Sequence, residues 1–155
     1  MSEDSELDEA KRASLGQVLF KAARLLNEQG VAEVRETMGL DNLRTAHMGL
    51  FPHIDLEGTR LTEIARRVGV TKQAVGQLVD ELEAMGMLER VPDPADGRAK
   101  LVRFPGGSSQ LMRGLAVLGG IEDQLREELG ARRFARLHRD LLALLEAIER
   151  RGEQA

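Results

Sequence analysis

The residues best suited to molecular recognition lie in one short segment, TKQAVGQLVDELEAMG, which spans residues 71–86. Its apolar residues recur at helical spacing and fall within an arc of roughly 120 degrees, which predicts an amphipathic helix with one face in a core. Thr71 has the chemistry of an N-cap. The polar residues and one glycine lie on the other side or at the first turn: Lys72, Gln73, Gly76, Gln77 and Asp80.

These polar residues are of the types that read DNA. Glutamine carries a donor and an acceptor on one planar amide, which can pair with adenine in the major groove. Glycine inside a helix costs about 1 kcal/mol relative to alanine, so Gly76 makes sense if the helix backbone approaches a base pair or phosphate. The alternative is that Gln73 and Gln77 are ordinary surface helix formers and Gly76 is only tolerated. Asp80 either accepts from a cytosine amino group or holds a neighbouring arginine, and we favour the second interpretation.

The elements around this helix would position it for such contacts. The preceding segment TEIARRVG predicts a short helix with Thr62 as its N-cap, ended by Gly69, so the two helices form a helix-turn-helix. MLERV (87–91) and KLVRF (100–104) follow, and both have the composition of short strands. The turn formers between them predict a β-hairpin with a long polar tip.

The rest of the chain is predicted to be helical. Residues 1–6 read as a frayed tail, followed by a helix from Leu7 to about Asn27, a break at Gly30 and a shorter helical piece. A third helix is expected from residue 42 to 51 with Asp41 as its N-cap. Two more helices are expected after Ser108, of which the first is weakened by Gly119 and Gly120 and ended by Gly130, and the second covers about 131–150.

The predicted fold is therefore mainly α with a small β-hairpin wing. The predicted organisation is N-terminal helices at 1–40, a winged helix-turn-helix at 41–105 and C-terminal helices at 106–155. The apolar stripe of the last helix is too wide for a single exposed surface helix. Contact with a partner subunit explains this stripe better than packing within the same chain. We expect a homodimer, with both polar helix faces turned to a pseudo-palindromic site.

Charge and composition narrow the function classes. The net charge of −4 makes no global case for nucleic-acid binding, but residues 60–103 carry eight basic and seven acidic side chains, which leaves this block slightly positive. Arg98, near the predicted hairpin tip, is suited to reach a narrow minor groove, and Asp96 is expected to brace it through a salt bridge. The chain has no cysteine, which excludes disulfides and thiolate metal sites. An acidic N-terminus and the lack of a ~20-residue apolar run predict a cytoplasmic protein with no membrane partner.

Neither an enzyme nor a metal site is predicted. We find no phosphate loop, nucleophile motif or framed carboxylate pair, and His47 and His53 are badly spaced for one helix face. We therefore expect no cofactor and no metal. A small apolar ligand cavity is one interpretation of Phe20, Met48 and Phe51, with His47 or Arg24 as the anchor for an anionic ligand; ordinary core packing is the alternative.

A family resemblance rests on these same motifs. LTEIARRVGVTKQAV, LEAMGMLER and DPADGRAKLV together resemble the winged helix-turn-helix segment of MarR-type (multiple antibiotic resistance regulator) transcription factors. The resemblance implies a homodimer that binds double-stranded DNA with the helix from residue 71 in the major groove and the wing in the minor groove. By matching position, Arg98 would be the wing arginine, Asp96 its partner, and Arg90 the basic residue at the start of the wing. Lys100 is the one lysine of the wing segment PDPADGRAK and the remaining candidate DNA contact.

The resemblance also implies a repressor that responds to a small, often aromatic ligand. A second class of function stays open, namely a winged-helix protein-interaction module that does not bind DNA. Its motivation is the acidic net charge and the sparse charge of the wing.

Overall fold

The computed structural model describes residues 3–153, except for the side chains of Glu3, Ser108 and Gln110. Helices dominate these residues, and three short strands form one sheet. The elements in chain order are α1 (Glu3–Ala13), α2 (Leu15–Met38), α3 (Thr45–Met48), a 3-10 turn (Phe51–His53), β1 (Thr59–Arg60), α4 (Leu61–Val68), α5 (Lys72–Ala84), β2 (Glu89–Asp93), β3 (Asp96–Arg103), α6 (Ser108–Leu129) and α7 (Ala131–Glu153).

The chain divides into two compact units, Met1–Val117 and Leu118–Ala155. The first unit holds the helix-turn-helix and the sheet, and the second holds the end of α6 and all of α7. The three-part organisation expected from the sequence stays a prediction.

The sheet is antiparallel with the strand order β1-β3-β2. Val102 is the central residue, since it pairs with Thr59 on one side and with Arg90 on the other. The predicted fold class, mainly α with a β-hairpin wing, is confirmed. Strand β1 was not expected, because two residues are too short for an alternating pattern to emerge.

The prediction of a long polar hairpin tip is wrong. The strands continue until Asp93 pairs with Asp96, which leaves only Pro94 and Ala95 in the turn. The tip is short because Asp93 closes it, with its Oδ1 accepting a hydrogen bond from the Ala95 N–H at 2.9 Å.

One hydrophobic core holds the helix-turn-helix against the sheet and α2. Its buried side chains come from α2, the region around α3, α4, α5, the two residues before β2, and the end of β3 with the residue after it: Val34, Leu43, Leu50, Ile54, Ile64, Ala65, Val75, Val79, Leu82, Met87, Leu88, Val102 and Phe104. Phe51 and Phe104 add a tilted ring contact with centroids 5.9 Å apart. This core fixes which face of α5 is left for other contacts.

The N-terminal helices differ from the prediction in where the chain breaks. Helix α1 already begins at Glu3 and ends before Ser14, whose side chain accepts from the Gln17 N–H and caps α2. Gly30 does not break α2 but is buried inside it. An interior glycine costs only about 1 kcal/mol, which is too little to break a 24-residue helix that buries one side.

The predicted helix from 42 to 51 and two of the predicted caps are also wrong. Helix α3 has only four residues and begins after Arg44, whose backbone is extended, while Arg35 Nε binds the Leu43 carbonyl at 2.6 Å just before it. Asp41 lies in a turn outside α3. The N-cap of α4 is Arg60, so Thr62 lies within the first helical turn instead of capping it.

The C-terminal helices follow the predicted boundaries. Helix α6 passes through Gly119 and Gly120 without interruption and ends before Gly130, which has a φ of 83°. Helix α7 then continues to Glu153. No described residue of α7 is buried.

Candidate nucleic-acid interface

Helix α5 is fixed at its start and along one face. Thr71 Oγ1 accepts a hydrogen bond from the Ala74 N–H at 3.2 Å, as the N-cap prediction requires. Val75, Val79 and Leu82 are fully buried in the core. The opposite face therefore points away from the protein.

That opposite face carries the predicted recognition residues. Lys72, Gln73, Gln77 and Asp80 are all exposed. Gly76 does not lie fully among them: it is half-buried, and a Cβ built on it would meet Leu61 Cδ2 at 3.7 Å. Gly76 therefore lies on the flank of α5 that faces the start of α4.

Asp80 holds a neighbouring arginine, which is the interpretation favoured from the sequence. Its Oδ1 lies 2.7 Å from Arg90 Nη1. Arg90 also forms an ion pair with Glu83, and its backbone N–H donates to Glu83 Oε1 at 2.8 Å. Arg90 is thus neutralised by two carboxylates of α5, and it braces the start of the wing against the helix.

The wing presents two cations without a carboxylate partner. Arg98 and Lys100 are exposed on β3, and neither forms an ion pair with any other described side chain. The predicted salt bridge from Asp96 to Arg98 is not formed. Asp96 Oδ1 instead accepts the backbone N–H of Arg98 at 3.2 Å, and its other oxygen lies 3.9 Å from Arg60 Nη2. Asp96 thus shapes the backbone at Arg98 and leaves the guanidinium unpaired.

Sequence reasoning missed Arg60 as a residue of this site. Its guanidinium binds Asp93 Oδ2, with Nε at 2.7 Å and Nη2 at 2.6 Å. The backbone N–H of Ala95, and then Arg60, hold the pKa of Asp93 below its ordinary value. The Asp-Pro pair at 93–94 signals a turn, but no local pattern predicts a partner 33 positions earlier.

The two arginines of α4 are already occupied. Glu63 accepts hydrogen bonds from Arg66 and Arg67, which lower its pKa to about 2. Arg67 also binds Asp55 at 3.0 Å. Across the helix-turn-helix and wing, Lys72, Arg98 and Lys100 remain as the cations that no described carboxylate neutralises.

The predicted ligand anchor His47 is a core residue. It is fully buried, and both ring nitrogens have partners: Nδ1 accepts the Arg44 N–H at 3.0 Å, and Nε2 lies 2.8 Å from Glu81 Oε2. Burial is the main cause that lowers its pKa. A neutral ring with no vacant nitrogen cannot anchor an anion, so this part of the ligand prediction is wrong.

The other candidate ligand residues differ in their exposure and in their contacts. Phe20 is 75% exposed, and Arg24 pairs with Glu28 one turn along α2. Met48 and Phe51 are half-buried and pack against the core. A cavity formed by these residues stays a prediction.

Within residues 3–153, no group of three or more histidine, aspartate or glutamate side chains is placed to hold a metal ion. Of the helices in that range, none has the length and apolar character needed to cross a bilayer.

Comparison with known proteins agrees with the geometry. The model of the MarR family matches residues 46–99, which run from α3 to the wing. No curated protein gives a match.

Solved structures match over nearly the whole chain. A transcriptional repressor, CouR, bound to a 23-mer DNA duplex is 26% identical, with a TM-score of 0.64 over 96% of this chain and 99% of that one. The multiple antibiotic resistance repressor MarR is 22% identical, with a TM-score of 0.65 over 85% and 95% of the two chains. CouR from Rhodococcus jostii RHA1 bound to p-coumaroyl-CoA is 20% identical, with a TM-score of 0.63 over 86% and 93%. With its capped and outward-facing α5 and its short wing, this chain has the winged helix-turn-helix fold of these structures, and its residues 46–99 match the model of the MarR family.

Proposed function

We propose that this protein is a homodimeric, sequence-specific DNA-binding repressor whose affinity for its operator is lowered by a small ligand. The observation that carries the proposal is the outward face of α5. It has two exposed glutamines on a helix whose other face is locked into the core.

The major groove accepts an α-helix, and amide side chains on such a helix pair with base edges. Gln73 and Gln77 lie four residues apart on the exposed face, so both can meet base edges from one docked helix. Lys72 at the first turn of α5 adds a cation for a flanking phosphate. If the glutamines were only surface helix formers, the unpaired cation beside them and the adjoining wing would have no explanation.

The wing supplies the second contact. Arg98 and Lys100 are the unpaired cations on β3, and Arg60 fixes the hairpin turn through Asp93. An arginine without a carboxylate partner is suited to the negative potential of a narrow minor groove. Arg90 acts differently in this proposal, as the brace between α5 and the wing and not as a phosphate contact.

Association of two chains is supported by α7. Leu137, Leu141, Leu142, Leu145 and Ile148 remain between 38% and 56% exposed. A helix with this much exposed apolar surface is expected to be covered by another chain. In a two-fold dimer the α5 helices would meet half-sites about 34–36 Å apart.

Ligand control is proposed by analogy with the CouR structure that holds p-coumaroyl-CoA. Phe20, Arg24, Met48 and Phe51 remain the candidate residues for an aromatic or anionic ligand. His47 is no longer among them. Catalysis is no part of the proposal.

The salt dependence of DNA binding tests the proposal against the interaction-module alternative. Lys72, Arg98 and Lys100 from two subunits give about six phosphate contacts, so log Kobs should fall against log salt with a slope of about −5. Arg98→Ala should make the slope shallower by about two, one for each subunit. Arg103→Ala is the control, because Arg103 is already paired with Glu89 at 2.7 Å. A wild-type protein that retains no duplex at low salt would favour the interaction module.

The operator can be found by selecting bound fragments from random duplex DNA. Repeating the selection with aromatic acids and their coenzyme A thioesters tests ligand control. A selected site without two-fold symmetry would contradict the dimeric mode of binding.

A further inference from the structure

Glu81 connects the core of the protein to the exposed face of α5. Its Oε2 lies 2.8 Å from His47 Nε2 and also pairs with the Arg44 guanidinium. Its Oε1 accepts the Gln77 side-chain amide N–H at 3.4 Å. One carboxylate thus links a buried histidine to a glutamine of the recognition face.

The tautomer of His47 fixes the role of this carboxylate. Nδ1 accepts the Arg44 backbone N–H, so the proton of the neutral ring lies on Nε2 and is donated to Glu81. The Arg44 side chain is a second donor to the same oxygen. Because Oε2 is engaged on the protein side, Oε1 is the oxygen left for Gln77.

An ionised carboxylate has no proton to donate, and this restricts Gln77. The Gln77 amide can meet Glu81 only through its N–H, since its carbonyl oxygen would be repelled. The amide edge that remains outward carries the carbonyl oxygen and the second N–H. That pair matches adenine, which offers N6–H as a donor and N7 as an acceptor. Guanine offers two acceptors, N7 and O6, and would place an acceptor against the Gln77 oxygen.

We propose that Glu81 is a specificity-determining positioning residue, which holds the Gln77 amide in the orientation that reads adenine and rejects guanine. This inference rests on the proposed function, because it requires α5 to dock in the major groove. The competing role for Glu81 is structural, as an ion pair that fastens α3 to α5. The two roles differ in one respect: only positioning predicts a change in base preference.

Glu81→Gln is the decisive variant, because the new amide has nearly the same shape and can donate as well as accept. Gln77 can then turn its oxygen inward and present two donors outward. The first step locates the base pair that Gln77 contacts. Base preference is measured with duplexes randomised at each position, and the position where wild type and Gln77→Ala differ is the one under Gln77. At that position the wild type should prefer adenine over guanine by about tenfold or more, and Glu81→Gln should reduce the ratio to within about twofold.

Arg44→Gln is the matched control. It removes the ion pair to Glu81 but leaves the Gln77 contact, so it should keep the adenine preference even where stability or overall affinity falls. Retention of the adenine preference in Glu81→Gln overturns the proposal. Equal loss of preference in Arg44→Gln does so as well.

A measurement without DNA separates this inference from the proposed function. Residual dipolar couplings of the Gln77 side-chain ¹⁵N–¹H groups should indicate a fixed amide in the wild type and an averaged one in Glu81→Gln. A mobile amide in the wild type overturns the positioning role whether or not DNA is bound. A fixed amide in a protein that binds no duplex DNA would support the inferred orientation of the Gln77 amide. It would overturn both the recognition of adenine and the proposed function.

Discussion

Arg60, at the end of β1, holds Asp93 at the turn of the wing, with Nη2 and Oδ2 2.6 Å apart. Asp93 is 7% exposed, and its other oxygen closes the hairpin turn through the Ala95 N–H. The wing therefore takes its shape from a residue that precedes the helix-turn-helix in sequence. Its position relative to α5 is set separately, by Arg90.

Arg60→Ala should loosen the wing. The Asp93 carboxylate would lose its cation while staying buried, which destabilises the hairpin turn. Amide hydrogen exchange should become faster in β2 and β3, with little change in α5. Arg103→Ala removes the exposed Arg103–Glu89 pair and should leave exchange nearly unchanged. Equal exchange rates in both variants would contradict a special role for Arg60.

Two threonines in the helix-turn-helix should respond differently to truncation. Thr71→Ala removes the cap bond to Ala74 and should lower the free energy of unfolding by about 1 kcal/mol. Thr62→Ala removes no cap, because Arg60 is the N-cap of α4, and should change it by less than about 0.5 kcal/mol. Urea unfolding of both variants measures the difference, and a larger loss at Thr62 would contradict the assigned caps.

Gly76→Ala should separate stability from DNA binding. The new Cβ would meet Leu61 Cδ2 at 3.7 Å, an ordinary contact, so the variant should gain up to about 1 kcal/mol of helix stability. DNA affinity should fall if the α5 backbone approaches DNA closely at this position. Thermal unfolding and duplex titration measure the two effects. Unchanged affinity in a stabilised variant would show that the glycine is only tolerated.

The stability of the protein should depend on pH through His47. Its pKa in the folded protein lies below the ordinary 6.5, mainly because the ring is buried. Near and below pH 6.5 the unfolded chain therefore binds more protons than the folded protein. The contribution of His47 to the free energy of unfolding is fully present above pH 6.5 and is lost as the pH falls below it. The slope attributable to one such proton approaches about 1.4 kcal/mol per pH unit.

His47→Gln isolates this contribution. The variant has no titrating ring, so its free energy of unfolding should fall less steeply below pH 6.5 than that of the wild type. Both proteins will lose stability in more acid solution, since the pKa of Glu81 is lowered in the folded state by its bonds to Arg44 and His47. Parallel curves between pH 7 and 5 would contradict a buried neutral histidine.

The sequence predicts the helices correctly where their position depends on local apolar periodicity and on capping residues. The buried face of α5, the Thr71 cap and the stop at Gly130 all follow from local patterns. The bracing of Arg90 by Asp80 was also foreseen, since the favoured interpretation gave Asp80 a neighbouring arginine.

Long-range pairs were not predictable in the same way. Arg60 and Asp93 are 33 positions apart, and His47 and Glu81 are 34 apart, so nothing in the local pattern distinguishes them from solvated residues. The sequence therefore leaves His47 open between a ligand anchor and a core residue, and it predicts a salt bridge between Asp96 and Arg98 that does not form. Gly30 was misjudged for another reason, because burial in α2 outweighs its low helix propensity.

The association of two chains can be tested on α7 alone. Leu141→Asp with Leu145→Asp places charges in the apolar stripe, where the two side chains are 38% and 52% exposed. Because neither is buried within the chain, the variant should keep its far-ultraviolet circular dichroism while sedimenting as a monomer. Ala143→Asp puts a charge on the opposite side of the helix, away from Leu141 and Leu145, and should remain a dimer.

The monomeric variant should also lose most of its operator affinity, since one subunit can occupy only one half-site at a time. Its affinity for an isolated half-site should be close to that of a wild-type subunit, because α5 and the wing are unchanged. A double variant that still sediments as a dimer would contradict α7 as the interface. A monomer that keeps full operator affinity would instead contradict the coupling between association and DNA binding.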